Sequence, residues 1–207
     1  MVLSMELKAA SGARRMVRSF SASPLDPGAV DSLLDLAVRA PAAGNTDGRA
    51  FVVLEGPDQT ARYWQAATTA DWRKRSRRFA GLARAPVVVV VVVSPDRYMA
   101  RYAEPDKASS GLGPEAGQGA WPVPYWFFDA GASVMAMLLG ACDAGIGACL
   151  MGNFRQEAEL LEALGVDPSW RLAGAVVLGE PQGEDPPSQS LARPKTLRTV
   201  HRGSWGN

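Results

Sequence analysis

Histidine and cysteine are nearly missing from this chain: His201, Cys142 and Cys149 are all it has in 207 residues. One imidazole and two thiols fall short of a structural zinc site or a disulfide framework, so no metal is expected and a reducing, cytoplasmic setting fits. The two cysteines read as core, because on one continuous helix they would stand about 10 Å apart, beyond disulfide reach. Ser-His-Asp hydrolysis would rest on His201 alone, with no nucleophile elbow in the chain. Excess charge is missing too: 22 Lys+Arg against 21 Asp+Glu leave a net +1, with no global field to recruit nucleic acid or an anionic membrane. Long apolar runs are also absent. Residues 87–93 are far too few to span a bilayer, and 127–142 carry Asp129 and fall short of about 20 apolar residues. Residues 1–10 mix Glu6 and Lys8 into a short apolar pattern and read as mature protein rather than a leader.

What is present suits one domain, 1–207, with a real core: 47% of residues are apolar and 21% charged. Asp26-Pro27 opens a helix with Val30, Leu33, Leu34, Ala37 and Ala40 at helical spacing, and Pro41 stops it. A loop at 42–49, a strand at 51–54 and a helix opened by Gly56-Pro57 follow. Residues 71–84 are crowded with arginine and lead into Pro86 and seven valines, a run apolar on both faces that reads as a central strand. Residues 94–124 lack clear periodicity and read as a lid or insertion, either roofing a site or packing between subunits. A helix from Tyr125 to Asp143, apolar nearly all round, is expected to be buried. A strand near 148–151, a helix near 156–164 and a strand near 172–178 complete an alternating pattern, and a Pro- and Gly-rich tail begins at about 180.

Four short segments carry candidate chemistry. Arg14-Arg15-Met16-Val17-Arg18-Ser19-Phe20 reads as solvated charge or as a clamp for phosphate or carboxylate, whose oxygens match guanidinium forks. Ala40-Pro41-Ala42-Ala43-Gly44-Asn45 reads as a helix stop or as bare backbone that a flat ligand can approach. Cys149-Leu150-Met151-Gly152-Asn153-Phe154 ends a strand in glycine and exposes amides. Arg193-Pro194-Lys195 alone reads as solvated charge. The basic run 73–78 reads as a solvated or intersubunit face, and Gly111-Leu112-Gly113 lacks the strand and helix of a dinucleotide fingerprint.

The order and spacing of these segments resemble the nitroreductase family of flavoproteins. The family's Arg-Arg-Ser-Val-Arg-x-Phe is similar to 14–20, and its Ala-Pro-Ser-x-x-Asn-x-Gln-Pro-Trp to 40–49. Its Tyr-x-x-x-Asp-x-Gly is similar to Tyr125, Asp129 and Gly131, and its Leu-Gly-Leu-Gly-x-x-x-x-Gly-x-Phe to 144–154. Gly179-Glu180-Pro181 and the pair Arg193 and Lys195 complete the series. Met16 stands where the pattern has serine, and Asp47-Gly48-Arg49 where it has Gln-Pro-Trp.

That resemblance implies an α/β (α+β) fold, a nitroreductase-like mixed central sheet flanked by helices, in an intertwined homodimer with FMN at the subunit interface. It implies Arg14, Arg193 and Lys195 at the phosphate, and Arg15, Met16 and Arg18 along the ribityl chain and ring edge. Pro41, Ala42, Ala43 and Asn45 would come from the second subunit, while Leu150, Met151 and Gly152 would lie along the ring. A backbone amide near Gly152 would face flavin N5, with no catalytic side chain and NAD(P)H as transient donor. Asp47, Arg49, Trp121 and Tyr125 would border the substrate, a nitroaromatic, quinone or related acceptor. A flavin oxidase or dehydrogenase tailoring a secondary metabolite, and a non-catalytic flavin-binding or interaction protein, are the alternatives.

Overall fold

The structure, a computed structural model, describes residues 5–153, 156–183 and 201–205. The seven valines form strand β2 (Val87–Val93), and all seven are buried. Successive side chains of a strand point to opposite faces, so Val87, Val89, Val91 and Val93 enter one core and Val88, Val90 and Val92 another. With β1 (Arg49–Glu55), β3 (Gly147–Met151) and β4 (Arg171–Gly179), the sheet order is β1-β2-β4-β3, which makes β2 interior as its double-sided apolarity requires.

All three pairings are antiparallel, so the parallel pair that a mixed sheet asks for is not found among the described residues. The excursion between β1 and β2 leaves and re-enters at the same end of the sheet: Glu55 pairs with Val87, and the Gly56 amide donates to the Pro86 carbonyl at 2.9 Å. Helices between strands thus give no parallel crossover here.

Helices cover both faces. On the odd-valine face lie α1 (Leu7–Ala13), α2 (Pro27–Val38), α6 (Pro95–Tyr102) and α7 (Tyr125–Asp143). On the other lie α3 (Gly56–Ala67), α4 (Ala70–Arg75), α5 (Phe79–Leu82) and α8 (Glu157–Ala163). The Asp26 carboxylate caps α2 by accepting from the Gly28 amide at 2.9 Å, with Pro27 at the first position. Helix α6 repeats that signature with Ser94 and Pro95, and it occupies the start of the stretch whose sequence shows no periodicity. Eight residues with an apolar face of Tyr98, Met99 and Tyr102 are too few to announce a helical period; the remainder, to residue 124, is three short 3-10 turns. Helix α1 is likewise unannounced.

Helix α7 spans the expected residues and packs on α1, α2 and the sheet. Gly140 gives it the close approach, because a Cβ there would run into Leu36 and Leu33 of α2. It is not apolar-buried all round, since Phe128 is 70% and Met135 41% exposed. The extended segment 14–20 runs along the outer side of β3 and the end of β4. The Val17 amide donates to Ala148 at 2.9 Å, Phe20 bridges Pro181, and the Gln182 amide donates to Ser19 at 3.0 Å.

Candidate functional site

Strand β3 ends at an open cleft of about 1050 Å³. Leu150, Met151 and Gly152 line it with Arg18, so four of the residues singled out in sequence share one wall. Antiparallel pairing on one side of β3 leaves its other side to the 14–20 segment, and the Leu150 amide there donates to the Met16 sulfur at 3.4 Å. A thioether is a weak acceptor, so this amide is only lightly committed. The Arg18 guanidinium donates to the Met16 carbonyl at 3.0 Å, and Arg15 folds back on Gly12 and Arg14 carbonyls at 2.7 and 2.9 Å. Arg14 follows α1, and its buried Nη1 has no hydrogen-bond partner among the described residues. A buried guanidinium nitrogen left unpaired is costly, and an anion removes that cost.

The opposite wall was not anticipated. Tyr63, Thr68, Thr69, Asp71, Trp72, Arg75 and Ser76 form it from α3 and α4, with Asn153 and Gln156 at the end. The Thr69 hydroxyl caps α4 by accepting from the Trp72 amide at 3.1 Å, and Asp71 pairs with Arg75 one turn on. Part of the basic run is therefore cleft wall, while Arg73 is spent on the Trp64 and Thr68 carbonyls at 3.1 and 2.7 Å. The cap, a Thr-Thr pair ahead of an acidic residue and a tryptophan, is the signal that marks α4. Burial pushes the Tyr63 phenol up to about 12, so it stays a neutral donor, facing the Asn153 side-chain oxygen at 3.4 Å.

The second candidate segment is elsewhere. Pro41, Ala42, Ala43 and Asn45 do not line this cleft; Asn45 shares a small pocket of about 210 Å³ with Asp47 and Arg49. Gly44 and Asn45 both take positive φ, 66° and 54°, a conformation that needs outside support at the asparagine. Support comes from all sides. Arg49 donates to the carbonyls of Ala40 (2.9 Å), Pro41 (3.2 Å) and Asp129 (3.3 Å) and to the Ser133 hydroxyl (2.8 Å). Arg101 Nε donates to the Gly44 carbonyl at 2.8 Å, and the Ala43 amide to the Asp129 carboxylate at 2.8 Å.

Two substrate-side expectations change accordingly. Arg49 is turned inward as a staple, because four acceptors of its own chain surround its guanidinium. Trp121 is a core residue, 6% exposed, its indole N–H donating to the Leu112 carbonyl at 3.1 Å and its ring edge-on to Tyr98, Tyr102, Tyr125 and Trp126. The aromatic density of that stretch serves packing. Tyr125 is exposed at the start of α7, and Asp47 is exposed with its carboxylate 3.5 Å from Arg97. Arg193 and Lys195 lie outside the described residues. A separate groove of about 950 Å³, between α2 and the 83–87 turn, holds none of the candidates.

A sheet between two helical layers, with an open cleft at the end of β3, defines an α+β protein. The chain belongs to the nitroreductase family, whose model matches residues 12–180. Solved structures share the fold. A nitroreductase family protein from Clostridium novyi NT aligns at TM-score 0.66 and 22% identity over 86% of each chain. A protein titled as a nitroreductase in complex with FMN, from Desulfovibrio desulfuricans, aligns at 0.64 and 20% over 97% of this chain and 100% of its own. Another so titled, from Exiguobacterium sibiricum, aligns at 0.66 and 18% over 91% and 94%. The residues here fit such a group: the orphaned Arg14 nitrogen suits a phosphate, and Gly152 lines the cleft without a side chain.

Proposed function

We propose that the protein is an FMN-dependent oxidoreductase that moves electrons from NAD(P)H to an organic acceptor such as a nitroaromatic or quinone. The observation that carries this reading is the Arg14 Nη1, buried with no hydrogen-bond partner among the described residues, on the same 14–20 segment whose Arg18 lines the cleft at the end of β3. When bound, FMN supplies hydride exchange at its N5. Arg14, joined by Arg193 and Lys195, holds the phosphate through charge-assisted hydrogen bonds. Arg15, Met16 and Arg18 would line the ribityl chain and ring edge, Leu150 and Met151 would lie along the ring, and the amide near Gly152 would face N5. The Tyr63 phenol, neutral across the working range, keeps the Asn153 turn in place beside them.

The active unit is a homodimer in which Pro41, Ala42, Ala43 and Asn45 complete the other subunit's site. Two features support this: the loop and the cleft lie apart within one chain, and α7 presents Phe128, Ala132, Met135 and Leu139 at coiled-coil spacing on its uncovered side. Exposed Leu36 of α2 and Leu7 of α1, on helices packed against α7, extend that apolar surface. Tyr125 and Asp47 border the acceptor.

Flavin titration of apoprotein tests the reading. Arg14→Ala should weaken FMN at least tenfold, as expected for a bond to a charged group worth about 1.5–3 kcal/mol, and leave riboflavin, which lacks the phosphate, unchanged. Wild-type protein that binds neither flavin would refute the function; a variant that keeps FMN affinity would refute the phosphate placement. Anaerobic bleaching by NADH or NADPH then identifies the donor.

A further inference from the structure

The long stretch from 94 to 124 has the character of a buttress, and it reaches the 42–45 loop directly through Arg101 and, from Tyr98, through one buried carboxylate of α7. Asp129, on the second turn of α7, is only 5% exposed. Its Oδ2 accepts two hydrogen bonds, both of 2.8 Å, from the Ala43 amide and from the Tyr98 hydroxyl. Tyr98 is fully buried on α6, its ring edge-on to Trp121 and Trp126. An apolar side chain would fill the place of a buried carboxylate at less cost, so the retained carboxylate calls for a use. The geometry supplies one: it joins α6, α7 and the backbone of a loop in which Gly44 and Asn45 take positive φ. The contact is close on the ring side as well, because a Cβ on Gly48 would collide with the Tyr98 ring.

We infer that Asp129 and Tyr98 are positioning residues of the flavin site, fixing the Ala43 backbone at the place where the loop meets the ring and ribityl end of the cofactor. This inference rests on the FMN reading proposed above. The two residues do not line the cleft; they act through the loop. Arg14 and Asp129 therefore have separable signatures, since loss of Arg14 affects only a flavin that carries phosphate, whereas loss of the carboxylate affects both flavins alike.

The test is fluorescence titration of apoprotein with FMN and with riboflavin for Tyr98→Phe, Asp129→Ala and Asp129→Asn, with urea unfolding of each apoprotein alongside. Tyr98→Phe removes one oxygen from a packed ring and remains informative should Asp129→Ala fail to fold. The expected result is a five- to twentyfold loss of affinity for both flavins in Tyr98→Phe and a larger one in Asp129→Ala. Asp129→Asn, which keeps an acceptor for the Ala43 amide, should restore affinity to within about threefold of wild type. Hydrogen exchange at the 42–45 amides should accelerate in the first two variants and not in the third. Wild-type affinity in Tyr98→Phe overturns the inference, and so does a loss confined to FMN or one fully accounted for by the unfolded fraction. Wild-type protein that binds neither flavin overturns instead the reading on which it rests.

Discussion

The 40–49 loop and the 14–20 strip look alike in sequence, each short, irregular and marked by arginine, yet the fold treats them oppositely. The loop's one arginine is satisfied by its own chain, Arg49 meeting four acceptors, and Arg101 of α6 holds the Gly44 carbonyl and the Asp106 carboxylate. In the strip Arg15 and Arg18 likewise bond carbonyls of their own chain, but Arg14 buries a nitrogen with no partner among the described residues, and the Leu150 amide beside it meets a thioether. Local satisfaction marks a part that is finished on folding and presented as a rigid surface. A deficit marks a part that a ligand finishes.

That contrast breaks first at Arg49. Arg49→Ala strips hydrogen bonds from three carbonyls and a hydroxyl in partly buried surroundings, and should destabilise the apoprotein by about 2–4 kcal/mol in urea unfolding. Arg14→Ala deletes no side-chain hydrogen bond among the described residues and should leave the same midpoint nearly unmoved, within roughly 0.5 kcal/mol, despite the large effect expected on FMN. Equal destabilisation by both would erase the distinction between a finished and an unfinished region.

Gly81 sharpens it from the other side. A Cβ at this α5 position would run into the Arg18 carbonyl, and the Phe20 amide already donates to the Gly81 carbonyl at 3.3 Å. Backbone does not yield as a side-chain tip does, so Gly81→Ala should cost about 1–3 kcal/mol and lift residues 18–20 from α5. Flavin affinity should fall with stability here, unlike in Arg14→Ala. Unchanged affinity would mean that the strip's position is not what sets the cleft.

How far the sequence reveals these regions follows from the length scale of each signal. The valine run, the capped α2 and the span of α7 are legible because each repeats one period over many residues. Helix α6 is not, since two turns carry too little period, and its Ser94-Pro95 signature was the available clue. Leu150, Met151 and Gly152 share a cleft with Arg18 because the end of β3 runs beside the 14–20 segment. Asp129 appears in sequence only as a motif position; its bonds to Ala43 and Tyr98 join residues 86 and 31 positions away, which no local pattern encodes. Trp121 and Arg49 mislead for the same reason: an aromatic or a cation near a loop looks outward until the fold surrounds it.

The smallest expected effect lies where the cleft ends. Glu157, in the first turn of α8 just after Gln156, accepts from Arg171 Nε at 2.7 Å and from the Leu172 amide at 2.9 Å, tying that turn to β4. The Arg171 guanidinium first, and the Leu172 amide after it, hold the Glu157 carboxyl below its ordinary value against the opposing pull of burial. A carboxyl depressed in the folded state gives stability that is present above the unfolded value of about 4.3 and lost as pH falls through the lower folded value. The side chains are 46% and 34% exposed, so solvent screens the pair and its worth stays under about 1 kcal/mol. Urea midpoints of wild type and Glu157→Gln should therefore differ slightly at pH 7, converge between about pH 5 and pH 3, and lie closer together at every pH in 1 M salt. Parallel curves down to pH 3 would show that the pair contributes nothing and that the cleft's far end is held by packing of Leu160 and Leu161 alone.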